Sequence, residues 1–366
     1  MYVHELPDWP RFRWDLERLT EPLATVRHRQ GRLIGRLEGL GLALRQEAVL
    51  QTLTADVMKS SEIEGERLDA EQVRSSIARR LGMDMVALKP ADHHVEGVVE
   101  MMLDATRSYD QPLTAERLFS WHAALFPTGH SNLRRIRVGV WRDDSRGAMQ
   151  VVSESFGRER VHYEAPRAPR LVGEMAAFLD WFNTDDSTDP VLRAALAHIW
   201  FVTIHPFDDG NGRIARAIAD MTLARSEGSP QRFYSMSAQI EQERAAYYDI
   251  LEDTQKGTMD VTSWMGWFLA CLDRAISGAQ TTLAAVLAKA RFWETAGRVT
   301  INERQRLVLN RLLDGFEGKL TTSNYARLAK CSQDTALRDI LALVKKGILV
   351  RGPEGGRGTS YRLTES

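Results

Sequence analysis

Along this chain apolar positions recur mostly at intervals of three and four, the period of helices that bury one face. From about 21 to 60 the spacing is carried by Leu33, Leu37, Leu40 and Leu44, with Gly31, Gly35, Gly39 and Gly41 interrupting it. Residues 1–20 hold Trp9, Phe12, Trp14 and two prolines, an extended arm packed by aromatics. Residues 68–125 are mostly helical, broken near Gly82 and at Lys89-Pro90. Between about 134 and 165 the period shortens to two: RIRVGVWR, and MQVV ahead of SESFGRERVHY, alternate as strands do, with Gly157 at a hairpin turn. Helical spacing returns at about 168–183 and 190–204. IEQERAAYYDILEDTQ is helical in charge and apolar spacing, and WMGWFLACL (264–272) is apolar almost all round, as a buried closing helix is. A helical connector, 278–299, leads to three amphipathic stretches, ERQRLVLNRLLDGF, TSNYARLAK and CSQDTALRDILALVKKG, the last with Ser332 as its N-cap. Two short strands, ILVRG and TSYRL, then flank a glycine-rich tip, PEGGRG. The expected class is mainly α, with a small β-hairpin and a compact C-terminal unit.

The densest chemistry lies at HPFDDGNGRIAR, residues 205–216. The apolar run PVLRAALAHIWFVTI predicts a buried helix ending near His205, because Pro206 disfavours its continuation. Apolar spacing resumes at Ile214, Ala217, Ile218 and Met221, so a second helix starts after the glycines. Gly210 and Gly212 let backbone approach a ligand closely, and Asn211 tolerates unusual turn dihedrals. Unpaired amides at the head of the second helix suit an anion, most naturally phosphate. Arg213 and Arg216, three apart, share a helical face and suit bidentate grips on phosphate oxygens. His205 is placed to take a proton from an incoming nucleophile, and Asp209 to hold a magnesium ion shared with the phosphates. Elsewhere, SSEIEGE (60–66) crowds Glu62, Glu64 and Glu66 beside Gly65, by itself a solvated acidic helix end. His93, His94 and Glu96 have no metal-ligand spacing, since adjacent histidines point to different sides of a helix, and a helix-surface role is expected. His122, within LFSWHAALF, is expected to be a packed or hydrogen-bonded core histidine.

The twelve-residue stretch matches H-[PX]-F-x-[DE]-G-N-G-R-x-x-R at every fixed position: His205, Phe207, Asp209, Gly210, Asn211, Gly212, Arg213 and Arg216. It resembles the Fic family. The resemblance implies transfer of AMP from ATP to a Ser, Thr or Tyr hydroxyl of a protein. His205 would be the base, Asp209 the Mg2+ ligand, and the Gly-Asn-Gly turn with both arginines the phosphate cradle. Phe207 would anchor the loop. Family members with a built-in inhibitor carry [ST]-x-x-x-E-[GN], matched by Ser60, Glu64 and Gly65. Glu64 would then pair with Arg216 and fill the space that an ATP γ-phosphate needs. The stretch 149–165 resembles the family's flap, which aligns a target segment by strand addition. Tyr248 resembles a residue on the helix bordering the adenine, while Gln255 stands where the family often has Asn. WPRFRWD resembles the start of the helical segment that precedes many bacterial Fic cores. The resemblance covers roughly residues 1–275, and the C-terminal unit resembles a winged helix.

The resulting division is an N-terminal helical region with the inhibitory motif (1–110), a Fic core (111–277), the connector (278–299) and the winged helix (300–366). With 43% hydrophobic residues and a net charge of −1, no global field draws the chain to nucleic acid or membrane. Residues 298–366, however, hold 13 Lys/Arg against 7 Asp/Glu, a balance of +6 that is compatible with DNA, whereas Asp334 and Asp339 fall on the third helix of the unit. Two distant cysteines argue against a disulfide framework or zinc site, and the start MYVHELPDWP lacks a signal-peptide pattern. A cytoplasmic protein without a membrane segment is expected. Its implied partners are a hydroxyl-bearing protein target, the chain itself as a substrate, DNA through the winged helix, and a second copy in a homodimer. Two other functions remain open: removal of AMP by water positioned on Glu64, and a nucleotide-sensing DNA-binding regulator.

Overall fold

The structure, a computed structural model, describes residues 1–83, 89–131, 134–155, 158–184, 187–296, 299–313, 316, 318–352 and 359–364. The chain divides into two compact units, Met1–Gln280 and Thr281–Ser366. In the first, α1 (Leu16–Glu38) and α2 (Leu42–Ile63) are separated at Gly39–Gly41, two of the four glycines that break the leucine spacing. Helices α3 (Ala70–Arg80), α4 (His93–Arg107) and α5 (Ala115–Leu125) each start on a side-chain cap, from Asp69, Asp92 and Thr114. Such caps satisfy amides that have no intrahelical acceptor. The strands follow: β1 (His130–Ser131) with β2 (Arg134–Arg135), then the antiparallel hairpin β3 (Gln150–Ser155) and β4 (Arg158–Glu164), bulged between Val151 and Val152. Helices α6 (Leu171–Asn183), α7 (Pro190–Ile204), α8 (Asn211–Glu227), α9 (Met236–Gln242) and α10 (Arg244–Gln255) follow, and α11 (Thr262–Ala296) begins in this unit and ends in the second.

The centre of this unit is α7 packed along α8. All of α7 from Leu192 to Ile204 except Arg193 is buried, and so is α8 from Asn211 to Ala224 except Gly212 (whose missing side chain leaves backbone at the surface of the loop). A helix apolar on all sides needs partners on all sides. Accordingly α6 flanks α7, α4 and α5 flank α8, and α2 packs on α9 and α8. Asp56 of α2 accepts from Ser235 Oγ at 2.5 Å and Ser237 N at 3.2 Å, fixing α2 against the start of α9.

The mainly helical class is borne out, but RIRVGVWR is not a strand. Beyond β2 its backbone bonds to a loop and to side chains: Ile136 N to Gly129 O, Arg137 N to Asp208 Oδ2, Gly139 N to His122 Nδ1 and Arg142 N to Pro206 O. Its alternation reflects a strap that buries Ile136 and Arg142, without a strand partner beyond β2 among the described residues. IEQERAAYYDILEDTQ breaks at Glu243, whose carboxylate is held by Arg274 Nε and Nη2, each at 2.5 Å. The closing helix and the connector form one continuous α11. Gly157 and the PEGGRG tip lie outside the described residues.

In the second unit, α12 (Glu303–Leu313), α13 (Thr322–Leu328) and α14 (Gln333–Lys345) enclose Val308, Leu309, Tyr325, Ala336, Ile340 and Leu343. Strands β5 (Leu349–Arg351) and β6 (Tyr361–Leu363) pair antiparallel, and Leu320 bridges to Tyr361. Ser332 caps α14 by accepting from Thr335 N. Asp339 faces inward, accepting from Asn302, Arg304 and the Tyr325 hydroxyl. Among the described residues no helix is long and apolar enough to cross a membrane.

Gly97 of α4 lies close against α5, and a Cβ there would overlap the carbonyl of Ala124. Gly97→Ala is expected to destabilise the first unit by about 1–3 kcal/mol through overpacking. A lowered urea midpoint with an unchanged m-value is the expected result.

Candidate functional site

Helix α7 ends at His205, which takes the left-handed conformation (φ 51°, ψ 58°) and closes the last turn through its amide to Phe201 O at 3.0 Å. For a non-glycine residue that conformation costs roughly 1–2 kcal/mol, so the surroundings must hold it. Arg142 does much of this. Its guanidinium is buried, with Nε donating to His205 O at 2.7 Å and Nη2 to Pro166 O at 2.5 Å, while its amide donates to Pro206 O at 2.9 Å. Asp144 lies 3.4 Å from Nη1. Asn211 braces the loop from the other end: Nδ2 donates to Phe207 O at 2.8 Å and Oδ1 accepts from Phe207 N at 3.0 Å. Phe207 itself is fully buried and stacked on His122, with ring centroids 4.2 Å apart.

These bonds also assign protons. Gly139 N donates to His122 Nδ1, so the His122 Nε2 hydrogen is left to donate to Asp209 O at 3.2 Å. His205 Nδ1 lies 3.2 Å from Val202 O and donates to it, which leaves Nε2 as the lone-pair nitrogen. Burial first, and the Arg142 charge second, push His205 down to about 4. The proposed base is thus neutral and receptive across ordinary pH. Burial likewise lowers His122 to about 4.

Gly210 (φ 80°) precedes α8, where a Cβ would press on Phe126. The first intrahelical bond is Ile214 N to Gly210 O, so the amides of Asn211, Gly212 and Arg213 precede the ladder at the positive end of the helix dipole. Asp209 Oδ1 accepts from Gly210 N at 2.6 Å, and its Oδ2 accepts from the Ser131 hydroxyl. Among the described residues no group of three or more His, Cys, Asp or Glu could hold a metal by itself.

Both arginines are buried, and both are answered by the end of α2. Arg216 donates from Nε to Ser60 Oγ at 3.0 Å, and from Nη2 to Ser60 O at 2.9 Å and to Glu64 Oε1 at 2.8 Å. Arg213 Nη1 donates to Glu66 Oε2 at 2.6 Å and its guanidinium lies over Phe126, 5.1 Å from the ring centroid. Two guanidinium nitrogens, Arg213 Nε and Arg216 Nη1, are buried with no hydrogen-bond partner among the described residues. The carboxylates reach the site through a Schellman turn at Gly65 (φ 83°): Glu66 N donates to Ser61 O at 3.0 Å and Gly65 N to Glu62 O at 2.9 Å. A Cβ on Gly212 would run into Glu64 Oε1, so the Glu64 carboxylate sits directly on the glycine turn. Tyr248 borders the same place, its hydroxyl 3.4 Å from Ile63 O and its ring beneath Arg244. Gln255 is buried next to Thr203.

All eleven sequence-derived site residues therefore meet in one region, although Asn211 spends its side chain on the loop. Three participants were missed. Glu66 was read only as part of an acidic run, His94 as a surface residue, and Arg142 not at all. His94 Nε2 lies 3.1 Å from Glu66 Oε2, and it is half-buried.

A helix head with buried arginines, faced by a neutral imidazole, is the arrangement that comparison with known proteins can be set against. Residues 112–223 match the Fic/DOC family. Residues 2–83 match a domain of unknown function, DUF4172. The protein adenylyltransferase fic-1 of Caenorhabditis briggsae is 41% identical over 98 residues, 26% of this chain and 18% of that protein. The protein adenylyltransferase Fic of Nematostella vectensis is 36% identical over 130 residues, 34% of this chain and 28% of that protein. That of Drosophila willistoni is 26% identical over 224 residues, 58% of this chain and 39% of its own length. The chain thus spans well under half the length of these curated relatives. In fold it is similar to a solved Fic family protein from Desulfovibrio desulfuricans G20, with a TM-score of 0.52, 20% identity, and 95% and 96% of the two chains covered.

His122, His198 and His205 are all buried neutral, lowered to about 4, about 3 and about 4 by burial first. Their contribution to stability is complete above the ordinary value of 6.5 and is lost as pH falls toward 4, because the unfolded chain then binds more protons. Urea midpoints at pH 7.5, 6, 5 and 4.5 are expected to fall in that order. NMR titration is expected to find the His205 ring neutral at pH 5, and Arg142→Met to move its pKa upward.

Proposed function

We propose that the chain is an auto-inhibited protein adenylyltransferase that moves AMP from ATP to a Ser, Thr or Tyr hydroxyl of a protein, with its own surface among the candidate targets. The observation that carries this reading is the pairing of a neutral His205 Nε2 with two buried arginines and helix amides that precede the intrahelical ladder. His205 Nε2 takes the hydroxyl proton as the oxygen forms its bond to the α-phosphorus. The bond from that phosphorus to the bridging oxygen of the β-phosphate breaks, and pyrophosphate leaves. The amides of Gly212 and Arg213 and the two guanidiniums stabilise the charge that gathers on the phosphate oxygens. Asp209, one carboxylate beside the Ser131 hydroxyl, suits a magnesium ion that shares phosphate oxygens better than one caged by protein alone. Such an ion would neutralise part of the triphosphate charge. Tyr248 offers a ring at the adenosine end.

Inhibition follows from the occupancy of Arg216. Glu64 takes one guanidinium edge and stands over Gly212, so a γ-phosphate directed there meets a carboxylate in place of a cation. The hairpin β3–β4 leaves unpaired strand edges for an extended target segment, and Glu252 of α10 anchors it through His162 at 2.5 Å and Arg160 at 2.9 Å. For the C-terminal unit, three helices, a β pair and the +6 charge balance of residues 298–366 support a winged helix that contacts DNA. Asp339 does not count against this, since it faces inward.

Label transfer from α-³²P-ATP with magnesium tests the main reading. Glu64→Gly is expected to raise labelling of protein at least about tenfold, and adding His205→Ala to remove about two to four orders of magnitude, the usual worth of a positioned base. Absence of label in Glu64→Gly, with ATP bound, would overturn AMP transfer.

A further inference from the structure

Glu64 is not the only carboxylate on the anion site. Two residues later Glu66 makes a 2.6 Å ion pair with Arg213, the other motif arginine, whose side chain is 1% exposed. Gly65 explains how both reach: its positive φ reverses the backbone, so the residues on either side of it deliver their carboxylates to successive arginines of α8. Glu66 is held from a third element as well. Its Oε2 is shared between Arg213 Nη1 and His94 Nε2, and His94 lies in the first turn of α4. Burial opposes ionisation of Glu66, yet the His94 bond and the Arg213 charge keep its carboxyl below the usual range. It is therefore a carboxylate that His94 and Arg213 stabilise together.

We propose that Glu66, clamped by His94, is a second inhibitory carboxylate, which competes with nucleotide phosphate for Arg213 as Glu64 does for Arg216. The inference rests on the reading of these arginines as phosphate ligands and extends its regulation. A buried guanidinium takes whatever anion is in reach, because leaving it unpaired is costly. With Glu66 in place Arg213 is neutralised by the chain itself, and an arriving triphosphate meets a negative charge beside it. Relief of Glu64 alone frees one arginine and leaves the other occupied. The two arms differ in their holds: Ser60 on α2 shares Arg216 with Glu64, whereas His94 ties Glu66 to α4. A movement between α2 and α4 would therefore act on the Arg213 arm first.

The test is calorimetric titration of MgATP into Glu64→Gly, and into the same background with Glu66→Gln, His94→Ala, or both. Gln keeps the size of Glu and one hydrogen bond to Arg213 while removing the competing charge. Roughly tenfold tighter binding is expected for Glu66→Gln, the size of one screened charge contact at this range. His94→Ala, which lies off the arginines, is expected to tighten binding about threefold alone and to add nothing once Glu66 is Gln. That non-additivity is what a merely structural role would not produce, and His94→Ala carries the test by itself if Glu66→Gln folds poorly. Unchanged or weaker binding in both variants would overturn the proposal while leaving the adenylyltransferase reading intact. If Glu64→Gly binds no MgATP at all, the phosphate-ligand reading fails, and this proposal with it.

Discussion

Two guanidinium groups buried at the head of α8 impose the condition that the surrounding elements meet. Removing such a charge from water costs several kcal/mol unless it is paired and hydrogen-bonded. Arg213 and Arg216 are 1% and 2% exposed, and the carboxylate one turn further along α8, Asp220, is paired with Arg232 instead. The partners come from the end of α2, more than 145 residues earlier, so α2 must lie on α8 with its last turn at the loop. Asp56 bonds α2 to the start of α9, and Gly65 turns the chain so that two carboxylates arrive where one helix end would deliver only one. The placement of α2 is a solution to buried charge and, in the proposed reading, also the closure of an anion site. On that reading stability and inhibition share the same contacts.

That coupling sets how such a site is freed. Arg216 retains Ser60 when Glu64 is absent, through both the hydroxyl and the backbone carbonyl, so removing the carboxylate does not orphan the guanidinium. The charge becomes available to an external anion at little structural cost. The buried unpartnered nitrogens, Arg213 Nε and Arg216 Nη1, are what a phosphate would satisfy beyond what the protein already does. An anion that reached them would repair a deficiency in hydrogen bonding as well as adding Coulomb attraction.

Much of the site was legible because its chemistry is local in sequence. His205 to Arg216 span one helix end, one turn and one helix start, and proline, glycine and paired arginines each leave a pattern readable within twelve residues. Glu64 became legible by resemblance, since Ser60, Glu64 and Gly65 also lie within one turn. Glu66 stood in the same seven residues, yet its partner could not be read: only the left-handed turn at Gly65 decides which way that side chain goes. His94 and Arg142 are harder still. Each acts through atoms 24 to 63 residues away, and Arg142 mainly through backbone carbonyls, which leave no mark on the sequence. RIRVGVWR misled for a related reason. Alternating burial arises whenever an extended strap lies over a core, and periodicity cannot tell a strand partner from the carbonyls of Gly129 and Pro206.

The misread strap adds a second influence, after burial, on the electrostatics of His205. It brings Arg142 under His205 and fixes the His205 carbonyl, while its Gly139 amide sets the tautomer of His122 and, through it, the Asp209 carbonyl. A cation beside a proton acceptor lowers its basicity, which at first sight works against catalysis. The balance favours it nonetheless. A histidine next to a bound triphosphate would be drawn toward its protonated form by the anion, and a protonated ring has no lone pair to offer. Burial first, and Arg142 second, hold His205 low before any anion arrives, so in the proposed reading the pull of a triphosphate toward protonation starts from a ring that is already hard to charge. The same residue that permits the left-handed His205 backbone thereby helps to keep Nε2 open.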